Sequence, residues 1–389
     1  MPTTSTDPLR VIFLTHNYPR SRDDIAGGFL RPLAMALRDR GVDLRVVAPS
    51  DHGAGGRDLI DGIPVRRVRY ASPSRERYAY TGTMADAART PAGLVALWRM
   101  IGALRQGVIE EADGAERVVV HAHWWIPGAM AAPHGLAMVC TCHGTDVRLL
   151  ERSGIARWLA RRARGRARLV TTVSTPFAAI IRSRLGVPVQ PDAVQPMPVA
   201  ATDRPRSVGG GGVIVLGRLT PQKRTGLAID AWQLARDNGL ALPLTIIGDG
   251  PERPMLERHA ASVAGAGTVR FVGTVAPEQV PGFLATADVM LMTAHDEGFG
   301  LAAAEALMQG VPVVACTDGG GLLDIVPDSG GGRRAAPTAA AIASALGEMA
   351  ADRSAADAAH AAGAVWRERL APGYVATRAI EWYRQALDG

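Results

Sequence analysis

A short apolar run, Val11 to Thr15, leads through a polar turn at Gly27 and Gly28 into a helical pattern at Phe29, Leu33, Ala36 and Leu37. That pattern stops near Gly41, and a second apolar run, Leu44 to Ala48, follows. Strand, glycine loop, helix, strand is the opening of a parallel α/β sheet. The same order recurs at Val213 to Leu216, a loop, Leu227 to Ala235 ending at Gly239, then Leu244 to Ile247. A chain that starts this unit twice, and whose 389 residues exceed what one core supports, is constrained to two parallel α/β domains. Between the two starts, Gln195 to Gly212 is rich in Pro and Gly and reads as a linker. The expected division is 1–200, 201–371 and a helical tail 372–389, whose Ile380, Tyr383 and Leu387 follow helical spacing.

Continuous apolar runs such as Val118 to Val120 and Val311 to Ala315 suit strands buried on both faces. Cys140, Cys142 and Cys316 match no zinc or disulfide spacing, and the first two alternate on an apolar run as small core residues do. With no signal-peptide pattern and no apolar window of roughly 18 residues, the expectation is a cytoplasmic protein, or one peripheral to a membrane's inner face. The net charge of +6 is concentrated: eight arginines and one acid, Glu151, lie between Arg148 and Arg168. Such a stretch is either a solvated helix face or a surface for a membrane or an anionic substrate. No nucleic-acid partner is expected. Of 43 Lys and Arg residues, one alone is Lys, at position 223; either chance placed it there or the position needs a compact ammonium, which makes Lys223 a candidate site residue.

In parallel sheets ligands sit beyond the carboxyl ends of strands, so chemistry is sought there. After Leu216 come Gly217, Arg218 and Lys223 on a loop leading into a helix, two cations that are either a clamp for a diphosphate, aided by the helix dipole, or a surface basic pair. After Ile247 comes Gly248-Asp249-Gly250, a turn that lets a ligand approach the backbone. After Leu291 come Glu297, Gly298, Phe299, Gly300, Leu301 and, on the following helix, Glu305, whose side chain leans back toward the loop. An acidic helix cap is the plain alternative for Glu297, but it does not account for Glu305. In the first half, His121, Ala122 and His123 follow a strand, and so do His143 and Asp146. Three histidines raise a metal site as an alternative, but no carboxylate stands at ligand spacing, and cleft-lining or core histidines are the reading carried forward.

In these residues the chain resembles glycosyltransferase family 4, retaining enzymes of the GT-B fold. The matches run in order: Gly27-Gly28, His143-Gly-Thr-Asp146, Gly217-Arg218 with Lys223, Gly248-Asp-Gly250, Glu297 with Glu305 in a Glu-x7-Glu pattern, and the strand Gly310 to Ala315. The resemblance implies two Rossmann-like domains facing a central cleft, an acceptor-binding 1–200 and a nucleotide-sugar-binding 201–371, with the last helix returning to the first domain. It also implies roles. Arg218 and Lys223 would bind the donor diphosphate, Glu305 the ribose and Glu297 the transferred sugar. Gly298, Phe299, Gly300 and Leu301 would offer backbone amides to phosphate, His143 would lie beside the hexose, Gly28 would admit phosphate and acceptor, and backbone near Val272 would meet the base. Gly27, His123 and Asp146 are acceptor-side candidates. Two departures stand out: Asp324 where the family often has Glu, and Gln195-Pro-Met-Pro198 in place of a Pro-Asn-Gly turn.

The implied reaction moves a hexose with retention from a UDP-sugar, or GDP-mannose, to a hydroxyl of a glycan, a lipid-linked sugar or a small molecule. No Asp-x-Asp pair occurs anywhere in the chain, so fixed positive groups rather than a metal are expected to hold the leaving diphosphate, with no cofactor. A nucleotide-sugar epimerase and a non-catalytic sugar-nucleotide-binding protein remain as alternatives. A nicotinamide enzyme is excluded because neither opening strand is followed by Gly-x-Gly-x-x-Gly.

Overall fold

A computed structural model describes residues 8–389 apart from 23, 25, 81–83, 85–89, 200–209 and 266. The expected linker, with its boundary at residue 200, therefore lies largely outside the described residues. The chain divides into two units, 1–198 together with 372–389, and 199–371.

The first unit holds β1 (Arg10–Leu14), β2 (Asp43–Pro49), β3 (Gly56–Ile60), β4 (Ile63–Val68), β5 (Val118–His123), β6 (Ala137–Cys142) and β7 (Leu169–Thr172). They lie in the order β3-β4-β2-β1-β5-β6-β7, and every pairing is parallel except β3 with β4. Burial on both faces explains the unbroken apolar runs: Val11 through Leu14 and Val118 through His123 are buried at every position. Cys140 and Cys142 are buried and free in β6. The helix Pro372–Asp388 buries Val375, Ala376, Ala379, Trp382, Tyr383 and Ala386, a stripe at helical spacing. These residues share one core with Leu33, Leu37, Val11 and Phe13, so the end of the chain is part of the first unit.

The second unit holds β8 (Val213–Leu216), β9 (Leu244–Ile247), β10 (Val269–Gly273), β11 (Val289–Met292), β12 (Val313–Cys316) and β13 (Gly332–Ala335), ordered β10-β9-β8-β11-β12-β13 and parallel throughout. The expected strand at Val311 begins two residues later, since Pro312 has no N–H to give the ladder. Trp232, Ile229, Leu256, Ile342 and Leu346 build the core on the strand residues Val213, Leu244, Leu291 and Val314.

Both sheets share one topological property. From β1 the chain moves outward to β2 and later returns beside β1 as β5; from β8 it moves outward to β9 and β10 and returns beside β8 as β11. Adjacent strands whose loops leave in opposite directions open a crevice at their carboxyl ends. Each sheet has such a point, at β1/β5 and at β8/β11.

The helix Leu301–Met308, which follows β11, is braced by Ala355–Arg369. The two helices meet backbone to backbone at Gly363, where an added Cβ would lie 2.3 Å from the carbonyl oxygen of Leu307. Helix propensity alone favours Gly363→Ala by about 1 kcal/mol. The backbone contact reverses that sign, so the variant is expected to lower Tm in thermal unfolding; a raised Tm would show that the two helices do not meet there.

Candidate active site

At the β8/β11 point two loops are stitched together by backbone atoms. Gly217 leaves β8 with φ 156°, and an added Cβ at Gly248 would stand 2.0 Å from the Gly217 carbonyl oxygen, so the loops after β8 and β9 touch backbone to backbone. The turn Pro221–Lys223 ends at Arg224, in the left-handed region at φ 48°, and the helix Thr225–Asp237 starts there. From the other loop the Thr293 hydroxyl donates to the carbonyls of Lys223 (2.8 Å) and Arg224 (3.0 Å). Arg224 returns Nε to the Thr293 carbonyl at 2.7 Å and a two-pronged guanidinium to Asp318 at 2.6 and 2.8 Å. His295 N donates to the Gln222 carbonyl at 3.1 Å.

This stitching brings two of the residues singled out from sequence into contact. Lys223 Nζ donates to Glu297 Oε2 at 2.6 Å, across 74 positions of sequence. The ammonium and the carboxylate expected to serve different parts of one ligand are here each other's partner. Arg218 is exposed on the same loop. Glu297 is not a helix cap; its backbone bonds to Gly319 and Gly321, and the helix is capped by Gly300 at φ 91°, where an added Cβ would meet the Leu322 side chain at 2.3 Å. Phe299 is buried edge-on to Trp366, fixing the loop from beneath. The amides of Ala303 and Ala304 donate to the Gly300 carbonyl, and those of Leu301 and Ala302 before them have no carbonyl within the helix to receive them and so suit an anion.

Glu305, itself half-buried, lies on that helix among the buried Ala303, Ala304 and Ala306. Among the described residues its carboxylate has no hydrogen-bond or ion-pair partner, and burial pushes its pKa up from 4.5 to about 7. An acid desolvated without a partner lacks a structural reason to be charged. Val272 is the extra residue of a bulge, because β10 slips against β9 between Phe271 and Gly273, which frees its backbone from the ladder.

At the β1/β5 point of the first unit an imidazole and aromatic cluster gathers. His143 Nε2 and His123 Nδ1 lie 3.0 Å apart. His123 stacks on His121 at 4.2 Å, and His121 bonds to Tyr383 Oη at 2.8 Å and Thr141 Oγ1 at 2.7 Å. Trp124, in the left-handed region at φ 65°, packs on His16, Phe29 and His143. Burial lowers every histidine of the cluster, His16 to about 4, His121 and His143 to about 3 and His123 well below 6.5, so all are neutral imidazoles at physiological pH. His121 bonds to hydroxyls through both ring nitrogens, whereas His16 Nδ1 and His123 Nε2 are buried without a partner among the described residues.

Two acceptor-side candidates sit deeper than expected. His123 is fully buried, and Asp146 is buried with Oδ1 receiving the amides of His143 and Gly144 and Oδ2 that of Trp125, so both reach a ligand only through neighbours. At Gly27 an added Cβ would lie 2.3 Å from the Asn17 carbonyl oxygen, whereas Gly28 has open space on that side. Gly27 is the packing glycine of the pair. Sequence reading did not single out Thr293, Gln222, Arg224, Asp318, His16, Phe29 or Trp124. The run Gly319-Gly320-Gly321, which passes under Asp296 to Phe299, was the available signal for part of this set.

Residues 29–200 match the family model described as Glycosyltransferase Family 4, and 208–365 match Glycosyl transferases group 1. The chain is similar to 2-deoxystreptamine glucosyltransferase of Streptomyces kanamyceticus, 33% identical over 43% of this chain and 46% of that one. It is also similar to the GDP-mannose-dependent alpha-(1-6)-phosphatidylinositol monomannoside mannosyltransferase of Mycolicibacterium smegmatis, 30% identical over 59% of this chain and 65% of that one. The chain thus spans less than half the length of the first curated relatives it matches. In fold it is similar to sucrose-phosphate synthase from Thermosynechococcus elongatus, with TM-score 0.74 at 18% identity over 98% of this chain and 99% of that one.

Glu305 yields a stability prediction. A carboxyl raised from 4.5 to about 7 on folding contributes stability that is present below 4.5 and lost as pH rises through 7. Glu305→Gln is therefore expected to match wild type in denaturant unfolding below pH 4.5 and to exceed it above pH 7. Parallel profiles would show that Glu305 is solvated or already partnered.

Proposed function

Because this chain belongs to glycosyltransferase family 4, with the two Rossmann-like domains of the GT-B fold, we propose that it transfers a hexose from a nucleotide-diphosphate sugar to an acceptor hydroxyl, with retention and without a metal. The observation that carries this reading is the unpartnered, half-buried Glu305 on the helix that follows the Lys223–Glu297 pair, all at one topological switch point. A diphosphate and two sets of sugar hydroxyls complement this group of charges: Lys223, Arg218 and the amides from Gly298 to Leu301 meet phosphate oxygens, Glu305 accepts from the ribose and Glu297 from the hexose. The backbone of Val272 contacts the base, while Gly248, expected to admit a ligand, gives its open side to the Gly217 carbonyl and so fixes the loop that carries Arg218 and Lys223. Negative charge grows on the leaving diphosphate as the anomeric bond breaks; these fixed groups stabilise it, and the phosphate itself takes the acceptor proton. A UDP-sugar is the favoured donor and GDP-mannose the alternative, the relatives' names dividing between glucosyl transfer and GDP-mannose dependence.

Lys223→Ala and Arg218→Ala are each expected to slow transfer by roughly 100- to 1000-fold, the range for one preorganised anion partner. Near-normal turnover in both would remove the clamp, and activity lost to EDTA and regained with manganese would remove metal independence. Proton NMR of the product is expected to show the donor's anomeric configuration kept; inversion would overturn retention. A thermal-shift screen against UDP- and GDP-sugars identifies the base.

The arginine-rich region supports a peripheral membrane contact as part of the same reading. Several of its cations are structural: Arg157 caps the Leu150 carbonyl, Arg161 that of Arg184 and Arg166 that of Ala132, while Arg168 reaches the Gly389 carbonyl. Beside them the helix Gly154–Arg164 exposes Ile155 (75%) and Trp158 (57%), next to Arg161, Arg162 and Arg164. Apolar anchors flanked by cations suit an anionic bilayer surface. No helix among the described residues is long and apolar enough to cross a membrane. Cosedimentation with anionic but not zwitterionic vesicles is expected, weakened in Ile155→Ser/Trp158→Ser; equal recovery with both vesicle types would refute the contact.

A further inference from the structure

The hydrogen bond between His123 and His143 has a direction that the surrounding atoms decide. Both rings are neutral, so each carries one N–H, and one of the two must donate across the 3.0 Å from His123 Nδ1 to His143 Nε2. The other nitrogen of His123, Nε2, is buried without any oxygen or nitrogen partner among the described residues. If His143 donated, His123 would accept at Nδ1 and carry its proton on Nε2, leaving a buried N–H with nothing to receive it. If His123 donates from Nδ1, only a lone pair is stranded at Nε2. Orphaned buried N–H groups are the rarer of the two, because an unmade donor bond forfeits its full desolvation. The plane of His123 is held by stacking on His121 and by the Phe13 ring, edge to face at 4.7 Å, so the ring has little freedom to relieve either orphan by turning.

We infer that His123 is a positioning residue that holds His143 as the Nδ1–H tautomer. His143 Nε2 is then the acceptor and its lone pair is used. Nδ1, which makes no bond to a described residue, carries the only proton His143 can offer. The consequence rests on the reading that His143 serves the transfer site. Its imidazole can donate a hydrogen bond to an oxygen of the bound sugar, and it has no free lone pair with which to take the proton of the acceptor alcohol. His143 is thereby assigned to binding and not to general-base work. The second point matters because a histidine beside a reacting hydroxyl would otherwise be the first choice of base.

Nitrogen-15 NMR of the imidazoles in the full-length chain at neutral pH, with His143 assigned by loss of its signals in His143→Asn, reads the tautomer directly. A pyrrole-like Nδ1 and a pyridine-like Nε2 on His143 are expected. The opposite pattern, or an imidazolium, would overturn the inference whatever the activity. His123→Asn, whose amide nitrogen can stand where Nδ1 stood, is expected to keep the tautomer and most of kcat/KM. His123→Leu is expected to mix the tautomers and cut kcat/KM roughly tenfold, the fold-change of one neutral hydrogen bond. Unchanged spectra and turnover in His123→Leu would also overturn it. Failure of the wild-type chain to transfer from any donor counts against the proposed function instead, and leaves the tautomer readout standing.

Discussion

Strands β8 and β11 lie side by side in a parallel sheet, yet the chain leaves β8 toward β9 and leaves β11 toward β12. Their loops cannot cover one another, so the backbone beyond their ends must be satisfied some other way. The protein does this with side chains that bond to main chain: Thr293 to the carbonyls of Lys223 and Arg224, Arg224 back to Thr293, and Gln222 to His295. Such bonds fix the two loops without filling the space above them. Everything assigned to the donor site hangs on this frame.

Within it, electrostatic cost is distributed unevenly. Lys223 and Glu297 neutralise each other at 2.6 Å, half-buried, so neither charge is stranded without a ligand. In the proposed reading the Lys223 ammonium, with three N–H donors, meets a phosphate oxygen beside its bond to Glu297. Glu305 has no such stand-in and is left to bear its desolvation alone. The deeply buried acids Glu76, Glu111 and Asp146 are each surrounded by donors, whereas the half-buried Glu305 has none among the described residues.

The first domain solves a related problem with neutral groups. Its switch point is lined by four histidines that burial keeps uncharged; His121 is satisfied by two hydroxyls and His123 bonds to His143, while one nitrogen each of His16 and His123 is left without a partner among the described residues. The last helix contributes Tyr383 to this set and Val375, Ala379 and Trp382 to the core below it, so the chain's end helps hold the ring on which His143 depends. Asp146 performs the local fastening, gathering the amides of His143, Gly144 and Trp125 with one carboxylate.

What could be read in the sequence was what local periodicity and strand ends carry: the two parallel sheets, the terminal helix, and the residues that immediately follow strands, including Lys223, Glu297, Glu305 and His143. These positions are legible because a strand's end places the next few residues at the ligand edge whatever the rest of the chain does. The partnership of Lys223 with Glu297, across 74 residues, was not legible, because it depends on which strand returns beside β8. Nor was the depth of His123 and Asp146, or the division of labour between Gly27 and Gly28, since burial and close backbone approach are properties of neighbours that sequence spacing does not name. Local sequence decided which groups reach the carboxyl edge; packing alone decided which of them face one another, which are sealed away, and which are left without a partner.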